Sequence, residues 1–388
     1  MDFGKRTVFF QWILKNILSW NEICSIYLFS IRRKHMERFL TFTVNKNSGF
    51  HTVGQVLRSQ GGLTKNQISR AKFRPQGILK NGVRCRVTES VYPGDMITVC
   101  LEESGLSSGH LASPPEAALP PLEILYEDQD LLAVNKPAGI VTHPSGCHYR
   151  DSLSNQVSWY FRSKKEKIVI RPVGRLDRET SGIVIFAKNQ TAAARLQAQR
   201  CHNHLKKQYL AVVSGCLPVD PCAEKTVPPS SSALLSQGHT ISLPIGPDPD
   251  DPRKMTVLLS DSFTFGNLPV DLEKNSSHQH PLSPPGRNFK TAVTHYQVLH
   301  STADWSLVSL FLDTGRTHQI RVHMKSTGHP LLGDTLYGNT GESPVSLPFT
   351  RAALHAWKLF LEHPFEGKNL ILEAPLPEDF SSLAKYLP

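Results

Sequence analysis

Cysteine is scarce and unpatterned in this chain of 388 residues. Its seven cysteines stand at 24, 85, 100, 147, 201, 216 and 222, an odd number with no CxxC pair. That excludes a disulfide-built scaffold and points to a reducing, cytoplasmic setting. Cys201, His202 and His204 lie close together, but no second ligand pair follows at zinc-site spacing, so no metal is expected there. Long apolar runs are missing too. The stretch from Val8 to Ile31 comes nearest, yet Gln11, Lys15, Asn16, Asn21 and Glu22 interrupt it. This excludes a spanning helix and a signal core, and leaves no membrane partner. The stretch reads as an amphipathic helix before Arg32-Arg33-Lys34-His35, with Met36 opening the core. Residues 1–49 are accordingly treated as an N-terminal extension, its first part attributable to an upstream start.

Acidic side chains are absent from Val53 to Thr88, where eight Lys or Arg stand together. A solvated face ordinarily mixes both signs, so a one-sign stretch points to phosphate contact. The whole chain carries 43 Lys and Arg against 33 Asp and Glu, a net charge of +10. Hydrophobic residues at 39% and charged residues at 20% are those of a globular protein, and the length allows more than one domain.

Composition divides the chain into a basic segment at 50–104, a Ser/Pro/Ala-rich linker at 105–121, and an α+β segment at 122–388. Within the last, 221–235 and 258–287 read as long mobile surface loops. Lys80-Asn81-Gly82 supplies a hairpin turn, because Asn-Gly tolerates the positive φ that a type I′ turn needs.

Three stretches carry the chemistry. In GRLDRETSGIVIFAK, Gly174 to Lys188, Asp177 sits between Arg175 and Arg178 at the mouth of an apolar strand. Flanking guanidinium groups favour the ionised carboxylate, which serves either as a loop ion pair or as a nucleophile or charge stabiliser. LLAVNKPAGIVTHPSG, Leu131 to Gly146, reads as strand, turn, strand, with Lys136, Pro137 and Gly139 shaping the turn. In LDTGRTHQIRVHMKSTGHPLLGDTLYG, Leu312 to Gly338, a strand enters a Thr-Gly turn and a helix is predicted from about Thr317. Its His318, Arg321 and Lys325 would share one face, a basic surface suited to an anion.

These stretches, in this order and with KKQYLAVVSG and RAALHAWKLFLEHPF, resemble the RluA family of RNA pseudouridine synthases. The segment VGQVLRSQGGLTKNQISRAKFRPQGILKNGVRC resembles an S4-like RNA-binding module. The resemblance implies an α+β fold around a long, mostly antiparallel mixed sheet with a central cleft. It implies isomerisation of uridine in ribosomal or transfer RNA, without cofactor or metal, by a monomer. Asp177 matches the family's catalytic aspartate, which acts either by covalent attack at C1′ or by assisting glycal formation. Arg321 matches the arginine that pairs with it, and Tyr209 the tyrosine that stacks on uracil and is a candidate for proton transfer. Arg175 matches the arginine that fills the stack when the target base leaves. Phosphate contacts are expected from Arg58, Arg70, Lys72, Arg74, Lys80 and His318. Gly174 departs from the pattern, which has His there. The alternative reading is a catalytically impaired RNA-binding or ribosome-assembly protein of the same fold. The third, a base-removing hydrolase, would need a second carboxylate to activate water, and none stands in these motifs.

Overall fold

The structure, a computed structural model, describes residues 37–46, 49–102, 121–166, 168–219, 238–258, 289–338, 347 and 349–387. It divides into two units, residues 1–106 and 107–388. The apolar stretch Val8 to Ile31, the loop at 221–235, and nearly all of the linker 105–121 and of the loop 258–287 lie outside the described residues. Among the described residues no helix is long and apolar enough to cross a membrane.

Two capping boxes start the helices of the first unit. Thr52 and Gln55 open α1 (Val53–Ser59), and Thr64 and Gln67 open α2 (Lys65–Lys72), each pair satisfying two backbone donors that the helix cannot. The sheet has the order β1-β4-β2-β3, from β1 (Glu37–Thr43), β2 (Ile78–Lys80), β3 (Val83–Arg84) and β4 (Met96–Glu102). Val53, Val56, Leu57, Ile78, Ile97 and Val99 are buried in this unit. The hairpin turn is the one read from Asn-Gly, with φ of 51° at Asn81 and 81° at Gly82. Asn81 also braces it, donating from Nδ2 to Asp95 at 2.8 Å and accepting the Met96 N–H at 2.8 Å. The assignment of 1–49 to an extension is corrected here. Residues 37–43 pair antiparallel with β4 throughout, from Glu37↔Glu102 to Thr43↔Met96. Burial alternates over residues 39–43 of ERFLTFT, with Leu40 buried between exposed Phe39 and Thr41 as in a half-buried strand, but the adjacent Phe39-Leu40 pair breaks the apolar/polar period that a sequence reading relies on.

The second unit is built on ten strands. They are β5 (Glu123–Glu127), β6 (Leu131–Lys136), β7 (Arg171–Pro172), β8 (Ser181–Ala187), β9 (Lys206–Ser214), β10 (His239–Ser242), β13 (Val293–Ser301), β14 (Trp305–Leu312), β15 (Leu354–Glu362) and β16 (Asn369–Glu373), while β11 (Ile245–Pro247) and β12 (Met255–Val257) form a separate pair. The order is β10-β13-β14-β9-β15-β8-β6-β5, with β16 added to β15 and β7 to β8. The strands that position the site are β6, β7, β8, β9, β14 and β15. Only β15 and β8 run parallel; the other pairs are antiparallel. This is the expected α+β arrangement around a mixed, mostly antiparallel sheet.

Alternation along the strands sorts the core into two faces. Val184, Phe186, Tyr209, Ala211, Val308 and Leu310 share one cluster with Val157 of α3 (Leu153–Ser163) and Ile320 of α5 (Gln319–Ser326). The intervening residues Ile183, Ile185 and Ala187 pack with Ala192 and Leu196 of α4 (Gln190–Cys201). Leu210, Val212, Leu307 and Trp357 meet Phe380 and Leu383 of a C-terminal 3-10 helix, Glu378–Tyr386. Both faces of β8 are therefore covered, and all seven of its residues are buried.

Candidate active site

The loop between β7 and β8 carries Arg175 and Asp177, and four neighbours fix its backbone. Thr142 Oγ1 donates to the Leu176 carbonyl at 2.9 Å and accepts the Leu176 N–H at 3.1 Å. Gly139 N–H donates to the Arg178 carbonyl at 2.8 Å. Lys136, fully buried, donates from Nζ to the carbonyls of Pro137, Ile140 and Arg178 at 2.9, 2.7 and 3.1 Å. Burial pulls its pKa down to about 7, but only the ammonium form has three N–H groups for three acceptors. Arg351 holds the far side, donating to the Glu179 carbonyl at 2.9 Å while pairing with Asp379 at 2.7 Å. The NKPAG turn is thus a bracket for the Asp177 loop. Where the loop enters β8, Gly182 has φ +111°, and a Cβ there would stand 2.2 Å from the Ala356 carbonyl. Glycine is required for the close β8–β15 approach.

One pocket gathers Asp177, Tyr209, Arg321, Arg175 and His318 along its lining. The sequence-predicted residues of the second unit are therefore brought together. Asp177 comes from the loop, Tyr209 from β9, and Arg321 from the first turn of α5. Burial, and next the Asp177 charge, push the Tyr209 phenol well above its ordinary range, so it is protonated at neutral pH.

The partner of Arg321 differs from expectation. Arg321 grips Asp334 with both ends of its fork, Nε to Oδ2 at 2.7 Å and Nη2 to Oδ1 at 2.6 Å. Among the described residues the ion-pair partner of Asp177 is Arg175, Nη2 to Oδ1 at 3.6 Å. Asp334 wins Arg321 because its chain turns back on itself, so that the N–H groups of Leu336 and Tyr337 also donate to Oδ1 at 3.0 Å each. The Asp334 side chain is wholly inaccessible. Burial alone would raise its pKa, but the Arg321 contacts outweigh burial and hold it below the usual carboxylate range. Asp177 consequently keeps its oxygens free of Arg321, while still feeling that charge through space.

The helix also begins later than predicted. α5 starts at Gln319, and His318 stands before it in the left-handed conformation, φ 56°. Gln319 sets this entry: its Oε1 accepts from Thr314 Oγ1 at 2.8 Å and from the Arg316 N–H at 3.0 Å. The shared face of His318, Arg321 and Lys325 is nevertheless present, because all three meet Tyr337. The Arg321 guanidinium lies 4.9 Å and the Lys325 ammonium 5.9 Å from its ring centroid, and His318 Nδ1 is 2.8 Å from its hydroxyl. That hydroxyl also accepts the Met255 N–H at 2.8 Å, which ties the ring to the strand Met255–Val257. Burial pulls the His318 imidazole below its ordinary range against the opposing Asp177 charge.

In the first unit, Arg58 closes α1, while Arg70 and Lys72 close α2. Lys72 lies 5.0 Å from the ring centroid of Phe73, an exposed aromatic. Lys80 departs from its expected role. It donates to the Ser90 carbonyl at 2.9 Å and pairs with Asp95 at 3.4 Å and Glu89 at 3.7 Å, so it braces the hairpin. The potential metal donors Asp128, Asp130 and His363 lie together outside the pocket. Their atoms are engaged otherwise, with His363 Nε2 on Asp128 Oδ2 at 2.8 Å and Asn189 Nδ2 on Asp130 Oδ1 at 2.6 Å.

Comparison with known proteins fits the pocket into a family. The chain matches the RNA pseudouridylate synthase family over residues 130–326. It belongs to that family. An "Uncharacterized RNA pseudouridine synthase YhcT" of Bacillus subtilis is 37% identical over 316 residues, covering 81% of this chain and 84% of the relative. "Ribosomal large subunit pseudouridine synthase D" of Zymomonas mobilis is 37% identical over 275 residues, covering 69% and 73%. The solved structure of human RNA Pseudouridylate Synthase Domain Containing 4 is similar at TM-score 0.47 and 25% identity, covering 68% of this chain and 92% of that one. As an RNA pseudouridine synthase the chain is an isomerase with an RNA substrate. Sequence reasoning had placed the carboxylate, the tyrosine and the arginine. It missed Asp334 and Tyr337, although both stand in the quoted GHPLLGDTLYG stretch, where a carboxylate thirteen residues after an arginine was the available signal.

Proposed function

We propose that this synthase acts on uridine in structured ribosomal RNA, with Asp177 as the carboxylate that works at C1′ and without a cofactor. The single observation that carries the reading is the pocket itself: Asp177, Tyr209 and Arg321 line one cavity on a loop, a strand and a helix that are far apart in the chain. In the reaction the N1–C1′ bond breaks, the uracil turns and C5 bonds to C1′; C5 gives up its proton and N1 ends with one, so the change is an isomerisation with no net gain or loss of protons. An ionised carboxylate stabilises or captures the electron-poor C1′. The Tyr209 phenol, kept protonated by burial and by Asp177, serves as a proton donor beside the turning base. Arg321, held in its ion pair with Asp334, shapes the wall of the pocket within electrostatic reach of Asp177. Arg175, which lines the pocket with its side chain 61% exposed, takes the vacated place in the RNA stack.

The choice of ribosomal RNA rests on relatives whose names state large-subunit ribosomal activity. The first unit, read as an S4-like module, adds phosphate contacts from Arg58, Arg70, Lys72 and Arg74. The whole acts as a cytoplasmic monomer. The experiment is carbodiimide mapping of pseudouridine in total RNA from cells with and without the protein. Sites lost on deletion, restored by the wild-type chain and not by Asp177→Asn, are the expected result. If Asp177→Asn restores them, Asp177 is not the acting carboxylate.

A further inference from the structure

Gly174, Gly315 and Arg200 meet at the rim of the pocket, and each lines it. Arg200 projects from the last turn of α4. A Cβ added at Gly174 would lie 3.6 Å from its Nη1, and one added at Gly315 would lie 3.1 Å from its Nη2. Two turns from different parts of the chain thus leave side-chain space that the guanidinium occupies. Among the described residues, no hydrogen bond or carboxylate partner engages that guanidinium. It also stands among like charges. Arg175, Lys207, Arg316 and Arg321 line the same pocket, against the carboxylates Asp177 and Asp313. Its charge reaches both Lys207 and Tyr209. A cation held in a built notch, beside other cations and without its own counter-charge, is arranged for an anion that arrives with the ligand.

We propose that Arg200 is a substrate-binding residue that takes a backbone phosphate next to the target uridine, and that Gly174 and Gly315 form the notch that aims it. This rests on the reading of the pocket as the site where RNA is modified. It also gives Gly174 a role. With φ at +86° the position favours glycine, and a side chain there would start in van der Waals contact with Arg200, 3.6 Å from Nη1, and narrow the notch beyond its Cβ.

The test uses the full-length protein carrying Asp177→Asn, so that binding is read apart from turnover. The probe is an RNA hairpin with one uridine in its loop, made also with a neutral methylphosphonate at either linkage beside that uridine. Arg200→Ala is expected to weaken binding about tenfold. It should also make the plot of log affinity against log salt shallower by about 0.7 to 0.9. One of the two neutral linkages should cost the Arg200 protein about as much, and cost Arg200→Ala nothing further. Gly315→Ala, which crowds Nη2 without a positive φ, should weaken binding by itself and not additively with Arg200→Ala. In the otherwise native protein, Arg200→Ala should raise KM more than it lowers kcat. An unchanged salt slope, or equal loss from both neutral linkages with and without Arg200, overturns the proposal. Absence of pseudouridine with the wild-type protein would instead overturn the catalytic reading, because the binding series does not depend on turnover.

Discussion

Replacing Asp334 by Ala tests the corrected charge arrangement most directly. The substitution leaves the Arg321 guanidinium, with only 6% of its side chain accessible, without its bidentate partner. Breaking one side of a buried ion pair costs about 3–5 kcal/mol, because a desolvated charge remains uncompensated. For a domain of this size that corresponds to a Tm lower by about 6–20 °C. Differential scanning calorimetry reads it. The catalytic consequence is separate: a freed Arg321 is expected to swing to Asp177, the carboxylate whose charge it already feels. Pseudouridine formation should then fall at temperatures where the variant is still folded. The double variant Arg321→Met, Asp334→Leu removes both charges and should recover most of the stability without recovering activity. A loss below about 1 kcal/mol in Asp334→Ala would refute the reasoning, since it would mean that the pair is solvated and worth no more than a surface bridge.

The same pair gives a pH dependence with a definite sign. The folded-state pKa of Asp334 is depressed, so its contribution is fully present above the unfolded value, about 3.9, and is lost as pH falls through the folded one. Acid unfolding followed by circular dichroism should show this loss below about pH 4, and Asp334→Asn should flatten it. Lys136→Met strips three carbonyls of their donor and should destabilise the second unit by at least about 3 kcal/mol, measured by denaturant unfolding. Tyr209→Phe keeps the ring and removes the donor, so stability should hold while kcat drops by about a hundredfold or more. Gly182→Ala places a Cβ 2.2 Å from the Ala356 carbonyl and should prevent soluble expression of the folded second unit.

What the sequence disclosed and what it hid follow from distance along the chain. Strand β8 was legible because GIVIFAK is a continuous apolar run after a polar turn, and its residues are buried on both faces as such a run demands. The Asn-Gly hairpin was legible because its φ values are local. The start of α5 was misread by about two residues because Thr317 and His318 resemble an N-terminal turn, whereas Gln319 supplies the bonds that fix it. Lys80 was misread because charge counts do not show which cations are already paired, and Glu89 and Asp95 lie just beyond the acid-free stretch.

The Arg321 partner was hidden for a deeper reason. A motif identifies which residue types converge on a site, but two carboxylates can compete for one arginine, and their competition is settled by solvation. Asp177 retains 18% exposure and the solvent-exposed counter-charge of Arg175, so water can support it when no ligand is bound. Asp334 has no exposure and two backbone N–H donors already on one oxygen, so its charge demands a buried cation. The fold gives the arginine to the carboxylate that cannot do without it. Among the described residues no hydrogen bond occupies the Asp177 carboxylate oxygens at the pocket. On this reasoning Arg321→Lys should be poorly tolerated even though charge is kept, because one ammonium cannot span both Asp334 oxygens. A fall of about 1–3 kcal/mol in stability, with activity reduced in parallel, is expected from unfolding and tritium-release assays. Full activity in Arg321→Lys would show that a point charge suffices and that the fork geometry is incidental.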